Sequence, residues 1–140
     1  MASFAEDLRA VFRALAEARD GDFYRLYVDL TYAWPRPIPM IEFRVFQVAD
    51  SVDALVALGV DGHRPDGSLV RWGVSLRASP QRLTIHGTVE ITDDSGVFEV
   101  FKLAGDPADA AEAAELTRRY AAEVCAQRGW MEASGGATES

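Results

Sequence analysis

The sequence predicts an α+β fold: an N-terminal helix, an antiparallel meander sheet of five or six strands and a long C-terminal helix, with both helices packed on one sheet face. Apolar side chains recur at helical spacing near both ends of the chain and alternate with polar ones between them. The predicted strand connections are short, which favours antiparallel neighbours. Each strand and each helix has one apolar side, so stacking the helices on one sheet face buries all of these sides together.

The first helix is predicted over residues 4–19, where apolar side chains recur every three or four positions. Ser3 and Glu6 have the spacing of a capping box at its start. Gly21 is a suitable residue to end it. Residues 23–34 then alternate between two sets of side chains, which predicts a long half-buried strand. The proline-rich segment that follows breaks this strand, because proline cannot donate to the ladder.

The remaining strands follow from the same alternation and from the turn residues between them. Residues 51–60 are open between a strand and a short helix, and the flanking Asp-Gly pairs slightly favour the strand. Strands are predicted over residues 41–48, 69–77, 82–91 and 97–104.

The second helix is predicted over residues 107–128, with Asp106 as its N-cap and Pro107 in its first position. The small and polar residues 132–140 are expected to form a disordered tail. A single α+β domain is therefore expected over residues 1–131.

Composition narrows the classes of function. The chain has 140 residues, 14 basic and 22 acidic, and a net charge of −8, which argues against general binding to nucleic acid. The single cysteine excludes an intramolecular disulfide and a multi-cysteine metal site. Neither a signal peptide nor an apolar run of membrane-spanning length is evident. We expect a cytoplasmic protein without a cofactor, metal site or membrane contact.

The polar side of the predicted sheet carries an unusual number of arginines. Residues 68–92 have a net charge of +2 in a chain of −8 when Arg71, Arg77, Arg82 and Glu90 are counted. Arginine forks suit carboxylates and are common at protein interfaces. The predicted partner-binding residues are Arg25, Arg44, Arg71, Arg77, Arg82 and His86. They predict docking of another protein that carries acidic groups.

No catalytic constellation is predicted. His86 has no orienting partner within reach along its own strand. Cys125 lies near the apolar stripe of the second helix and is expected to be a packed thiol. A non-enzymatic protein-binding module is therefore the leading interpretation, of the kind found among immunity proteins and dedicated chaperones. The order of helix, meander and helix resembles the layout of type III secretion chaperones and of YbjN-like proteins.

Two other interpretations stay open. The sheet and long helix also resemble the helix-grip layout of small-molecule binders and cofactor-independent enzymes, which implies a pocket between the two. Tyr24, Tyr32, Trp72 and Tyr120 are the candidate pocket residues. A homodimer formed through the sheet face or an edge strand is a third possibility.

Overall fold

Three helices and five strands make up the fold in a computed structural model, which describes residues 4–34, 36–48, 51–79 and 82–131. The sheet order is β1-β2-β3-β4-β5, and every neighbouring pair is antiparallel. The predicted α+β meander is therefore confirmed, with five strands. In chain order the elements are α1 Phe4–Asp20, α2 Asp22–Ala33, β1 Ile38–Val48, β2 Ser51–His63, β3 Leu69–Ala78, β4 Leu83–Asp93, β5 Gly96–Gly105 and α3 Ala110–Cys125.

The ambiguous segment 51–60 belongs to β2, as the turn residues favoured. The predicted capping residue Ser3 and the predicted tail 132–140 lie outside the described residues.

The predicted strand over residues 23–34 is wrong, because this segment is helix α2. Its buried residues are Phe23, Leu26 and Leu30, and Tyr27 packs partly against the core. Positions i, i+3, i+4 and i+7 form one face of a helix. Residues four apart also share a face in a strand, so Leu26 and Leu30 fit both periods, and Phe23 and Tyr27 decide between them.

The N-cap of α3 is Asp109 rather than the predicted Asp106. The Asp109 carboxylate accepts a hydrogen bond of 2.8 Å from the Glu112 backbone N–H. Glu112 in turn accepts one of 2.7 Å from the Ala108 N–H, which satisfies a second backbone donor at the start of the helix. The helix consequently starts three residues later than predicted, and Asp106 is free to bind elsewhere.

The core lies between the helices and one face of the sheet. Trp72 and Leu76 of β3 and Ile85 of β4 are at most 1% exposed, and they pack with Leu26 and Leu30 of α2. The Trp72 indole N–H donates a 3.0 Å hydrogen bond to the Gln127 carbonyl, just beyond α3. The helical layer thus covers the middle strands of the sheet. None of the described helices combines the length and hydropathy needed to cross a membrane.

Candidate binding face of the sheet

The face of the sheet turned away from the helices, called the outer face below, carries most of the predicted binding residues. Side chains alternate between the two faces of a strand, and the antiparallel register aligns them across strands. The outer face includes Met40, Glu42, Arg44, Asp53, Leu55, Ala57, Gly59, Asp61, Arg71, Gly73, Ser75, Arg77, Thr84, His86, Thr88, Glu90, Glu99 and Lys102.

Arg71 is held by carboxylates on both neighbouring strands. It lies directly across from Asp61 on β2 and from Glu90 on β4. Its Nε and Nη2 atoms donate hydrogen bonds of 2.6 and 2.7 Å to the two Asp61 oxygens. This bidentate contact raises the pKa of Arg71, although partial burial opposes the rise. Arg71 therefore serves first to neutralise a nearly buried Asp61.

Arg77 lies at the other end of β3, beside Asp53 of β2. Its Nη2 atom is 3.3 Å from Asp53 Oδ2. Asp53 is buried, and its Oδ1 atom has no hydrogen-bond partner among the described residues. A hollow of about 300 Å³ opens here between Asp53, Arg77, Ser79, Arg82 and Thr84. The hollow is thus lined by polar side chains, while the Asp53 Oδ1 atom itself has almost no accessible surface.

The other two arginines of the sheet are also paired. Arg82 donates to Asp106 at 3.0 Å, and the Thr84 hydroxyl donates to the second Asp106 oxygen at 3.0 Å. These two contacts, with Arg82 the larger cause, lower the pKa of Asp106. Arg44 of β1 pairs with Glu42 at 2.7 Å on the same strand face.

Arg25 does not belong to this face. It lies on α2, where it pairs with Asp22 at 2.8 Å, one helical turn away. The prediction placed it on the sheet because residues 23–34 were assigned to a strand.

The surplus of positive charge predicted for the sheet is absent from the described outer face. The register brings Asp53 and Asp61 of β2 beside the arginines of β3, and the chain after β5 adds Asp106. Counting residues 68–92 alone leaves out these carboxylates, because they are distant in sequence. The outer face is a mixed surface of paired charges, so an acidic partner gains less there than predicted.

A shallow trough of about 160 Å³ crosses the centre of the outer face. Its floor is formed by small residues, Ala57, Gly73 and Ser75, and its rim includes Met40, Arg71 and Glu90. Sequence reasoning missed the trough. The run of small residues at alternating positions of β2 and β3 was available as a signal, but the register that aligns them was not.

His86 and Cys125 have no arrangement typical of catalysis. Partial burial lowers the pKa of His86, and Lys102 lowers it further. The Cys125 thiol is buried on α3, and desolvation raises its pKa to about 12, as expected for a packed thiol. Within the described segments, no group of three His, Cys, Asp or Glu side chains has the geometry to hold a metal ion.

The four candidate pocket residues do not come together. Trp72 and Tyr120 are buried between the sheet and α3, where they are packed into the core. Tyr24 and Tyr32 lie on the solvent side of α2, 60% and 88% exposed. Because residues 22–33 form a helix and not the predicted strand, Tyr24 and Tyr32 lie on the side of α2 that faces solvent.

Comparison of the chain with protein-family models, with curated proteins and with solved structures finds no match.

Proposed function

We propose that this protein is a non-enzymatic binding module that docks another protein on the outer face of its sheet. The observation that carries the proposal is the outer face itself. The described helices are layered on the opposite side, and the central trough stays open between pairs of charged residues. A five-stranded surface with a shallow depression suits a protein partner better than a small molecule, which needs deeper enclosure.

The paired charges indicate how such a partner is selected. Arg71–Asp61 and Arg77–Asp53 lie at opposite ends of β3, and the trough between them has small, uncharged residues at its floor. This arrangement is typical of interfaces in which a polar rim sets orientation and the centre supplies contact area.

The test is native mass spectrometry of the tagged protein, purified gently from lysate of its own host. Wild type is compared with Ser75→Arg, which fills the trough with a long cationic side chain. Glu123→Arg is the matched control, because Glu123 is exposed on α3, away from the outer face. Circular dichroism and thermal unfolding confirm that both variants fold.

We expect one stoichiometric protein to be retained by wild type and by Glu123→Arg, and to be lost from Ser75→Arg. Equal retention by all three proteins would move the binding site away from the outer face. A retained small molecule in place of a protein would favour the ligand-binding alternative.

A further inference from the structure

The edge strand β1 carries an apolar surface that the helices leave uncovered. Ile41, Phe43 and Val45 are on the helix side of the sheet but are 67%, 61% and 57% exposed. Phe12 of α1 is also exposed, and it lines a groove of about 130 Å³ together with Ile41. Together, Phe12 of α1 and the three residues of β1 form a continuous exposed apolar strip, called the apolar strip below.

The same strand is a regular sheet edge. It pairs with β2 in an unbroken register from Ile38↔Asp61 to Val48↔Ser51, and no strand among the described residues pairs with its other side. The opposite edge, β5, is interrupted by a register shift at Val89/Glu90. Bulges protect an edge from pairing, whereas a long regular edge is a template for another strand.

We propose that the protein forms a twofold homodimer in which β1 pairs antiparallel with β1 of a second copy, centred on Phe43. This register pairs the strand along its whole length, because Phe43 is the midpoint of Ile38–Val48. Pairing around the midpoint joins two sheets into one continuous sheet, with both helical layers on the same side. The dimer goes beyond the proposed function and does not depend on it.

The side chains of β1 are self-complementary in this register. On the helix side, Phe43 meets the partner's Phe43 and Ile41 meets the partner's Val45, so apolar residues cover one another. On the outer face, Glu42 lies across from the partner's Arg44, and Arg44 from the partner's Glu42. Opposite charges that face each other across neighbouring strands stabilise the pairing. A strand of unrelated sequence would have to match both patterns, which is why a second copy is the favoured occupant.

The backbone is compatible with this pairing. Pro39 has no N–H, and proline is tolerated in a strand where its nitrogen faces the free edge. The N–H and C=O groups of Ile41, Phe43 and Val45 share that direction, since alternate residues of a strand point the same way. They are therefore available to the second copy, and Pro39 omits a single ladder bond at each end.

Charge reversal tests both the dimer and its register. Analytical ultracentrifugation over a range of concentrations is expected to give wild type twice the 15.3 kDa mass of the chain. Glu42→Arg places four positive charges at the interface, and Arg44→Glu places four negative ones, so each is expected to weaken self-association about tenfold or more. Mixing the two variants restores opposite charges at every position, and they are expected to form a heterodimer about as stable as the wild-type dimer.

The apolar strip is tested separately by Phe43→Lys, which brings two ammonium groups together at the twofold axis and is expected to give a monomer. Phe98→Lys and Lys102→Glu are the matched controls on β5, and both are expected to stay dimeric. Apart from the half-buried Glu42, the substituted residues are exposed, and circular dichroism verifies the fold of each variant. A wild type that stays monomeric throughout, a dimer indifferent to Phe43→Lys, or charge variants that fail to associate on mixing would each overturn the proposal.

Discussion

Two glycines on neighbouring strands show how differently the two faces of the sheet are used. A Cβ atom at Gly87 of β4 would lie 2.9 Å from Val124 Cγ2 and 3.1 Å from Tyr120 Cβ, both on α3. A Cβ at Gly73 of β3, on the outer face, would meet nothing closer than the Leu58 carbonyl oxygen at 3.4 Å. At Gly87 the helix side has no space for a Cβ atom unless α3 shifts, whereas at Gly73 the outer face has space for one. The outer face is not open throughout, because a Cβ at Gly59 would overlap the Trp72 carbonyl oxygen. At these two positions, packing on the helix side is therefore expected to contribute more to stability than packing on the outer face.

The largest effect is expected at the centre of the closed face. Trp72→Ala removes a fully buried indole and its hydrogen bond to Gln127, and is expected to lower the free energy of unfolding by about 3–5 kcal/mol. Phe43→Ala, at the exposed edge, is the control, with an expected change below about 1 kcal/mol in dilute protein. Urea denaturation measures both. Similar losses of unfolding free energy in the two variants would show that the exposed edge contributes as much to stability as the buried centre.

The two glycines give the next prediction. Gly87→Ala forces β4 and α3 apart, and is expected to cost about 1–3 kcal/mol of unfolding free energy. Gly73→Ala is expected to be neutral or stabilising by up to about 1 kcal/mol, because a strand glycine loses more entropy on folding than alanine does. Thermal and urea unfolding of the two variants measure both changes in unfolding free energy. A Gly73→Ala variant as unstable as Gly87→Ala would mean that the outer face is packed as tightly as the inner one.

Some residues of the outer face also stabilise the fold, and Arg71 is one of them. Arg71→Glu leaves Asp61 nearly buried without its cation and adds a carboxylate beside Glu90. The expected cost is about 1–2 kcal/mol, below that of a fully buried pair because the Arg71 side chain is 40% exposed. Lys102→Glu, at an exposed and longer pair, is expected to change stability by less than about 0.5 kcal/mol. Denaturation curves that leave Arg71→Glu unchanged would show Asp61 to be solvated.

The smallest effect is a pH dependence from His86. Its pKa in the folded state is lowered from 6.5, so the unfolded chain binds the proton more readily. The stability contribution is therefore complete above about pH 6.5 and falls as the pH drops from there towards the folded-state pKa. His86→Gln is expected to remove this part of the pH dependence of the melting temperature. His63→Gln serves as the control, and a wild-type profile retained in His86→Gln would assign the dependence to other groups.

The sequence predicts the strands well because one face of the sheet is covered and the other is not. Alternation is then strong, as in β3, where the core residues alternate with the more exposed Arg71, Ser75 and Arg77. The same signal fails at residues 23–34, where Leu26 and Leu30 satisfy both the strand and the helix period. Phe23 and Tyr27 fall on the same face as these leucines only in a helix, so the four residues taken together indicate α2.

The candidate site is predicted less well than the fold. Arg44, Arg71, Arg77, Arg82 and His86 do lie on or beside the outer face, since strand parity fixes the side on which each residue lies. The partners of Arg71 and Arg77 were not predictable, because Asp61 is ten residues from Arg71 and Asp53 is twenty-four from Arg77 along the chain. Strand register brings such residues together, and the composition of a segment does not determine register.

Local patterns of apolar and polar residues were sufficient to determine the meander, the two terminal helical regions and the side of each strand that faces the core. They act within a few residues, so they can be read from the sequence alone. Tertiary structure decided which charges neutralise one another, where the small residues of β2 and β3 align into a trough, and how far the helical layer extends. Because the helices cover the middle strands and not β1, Ile41, Phe43 and Val45 remain exposed, although their alternation is that of core residues.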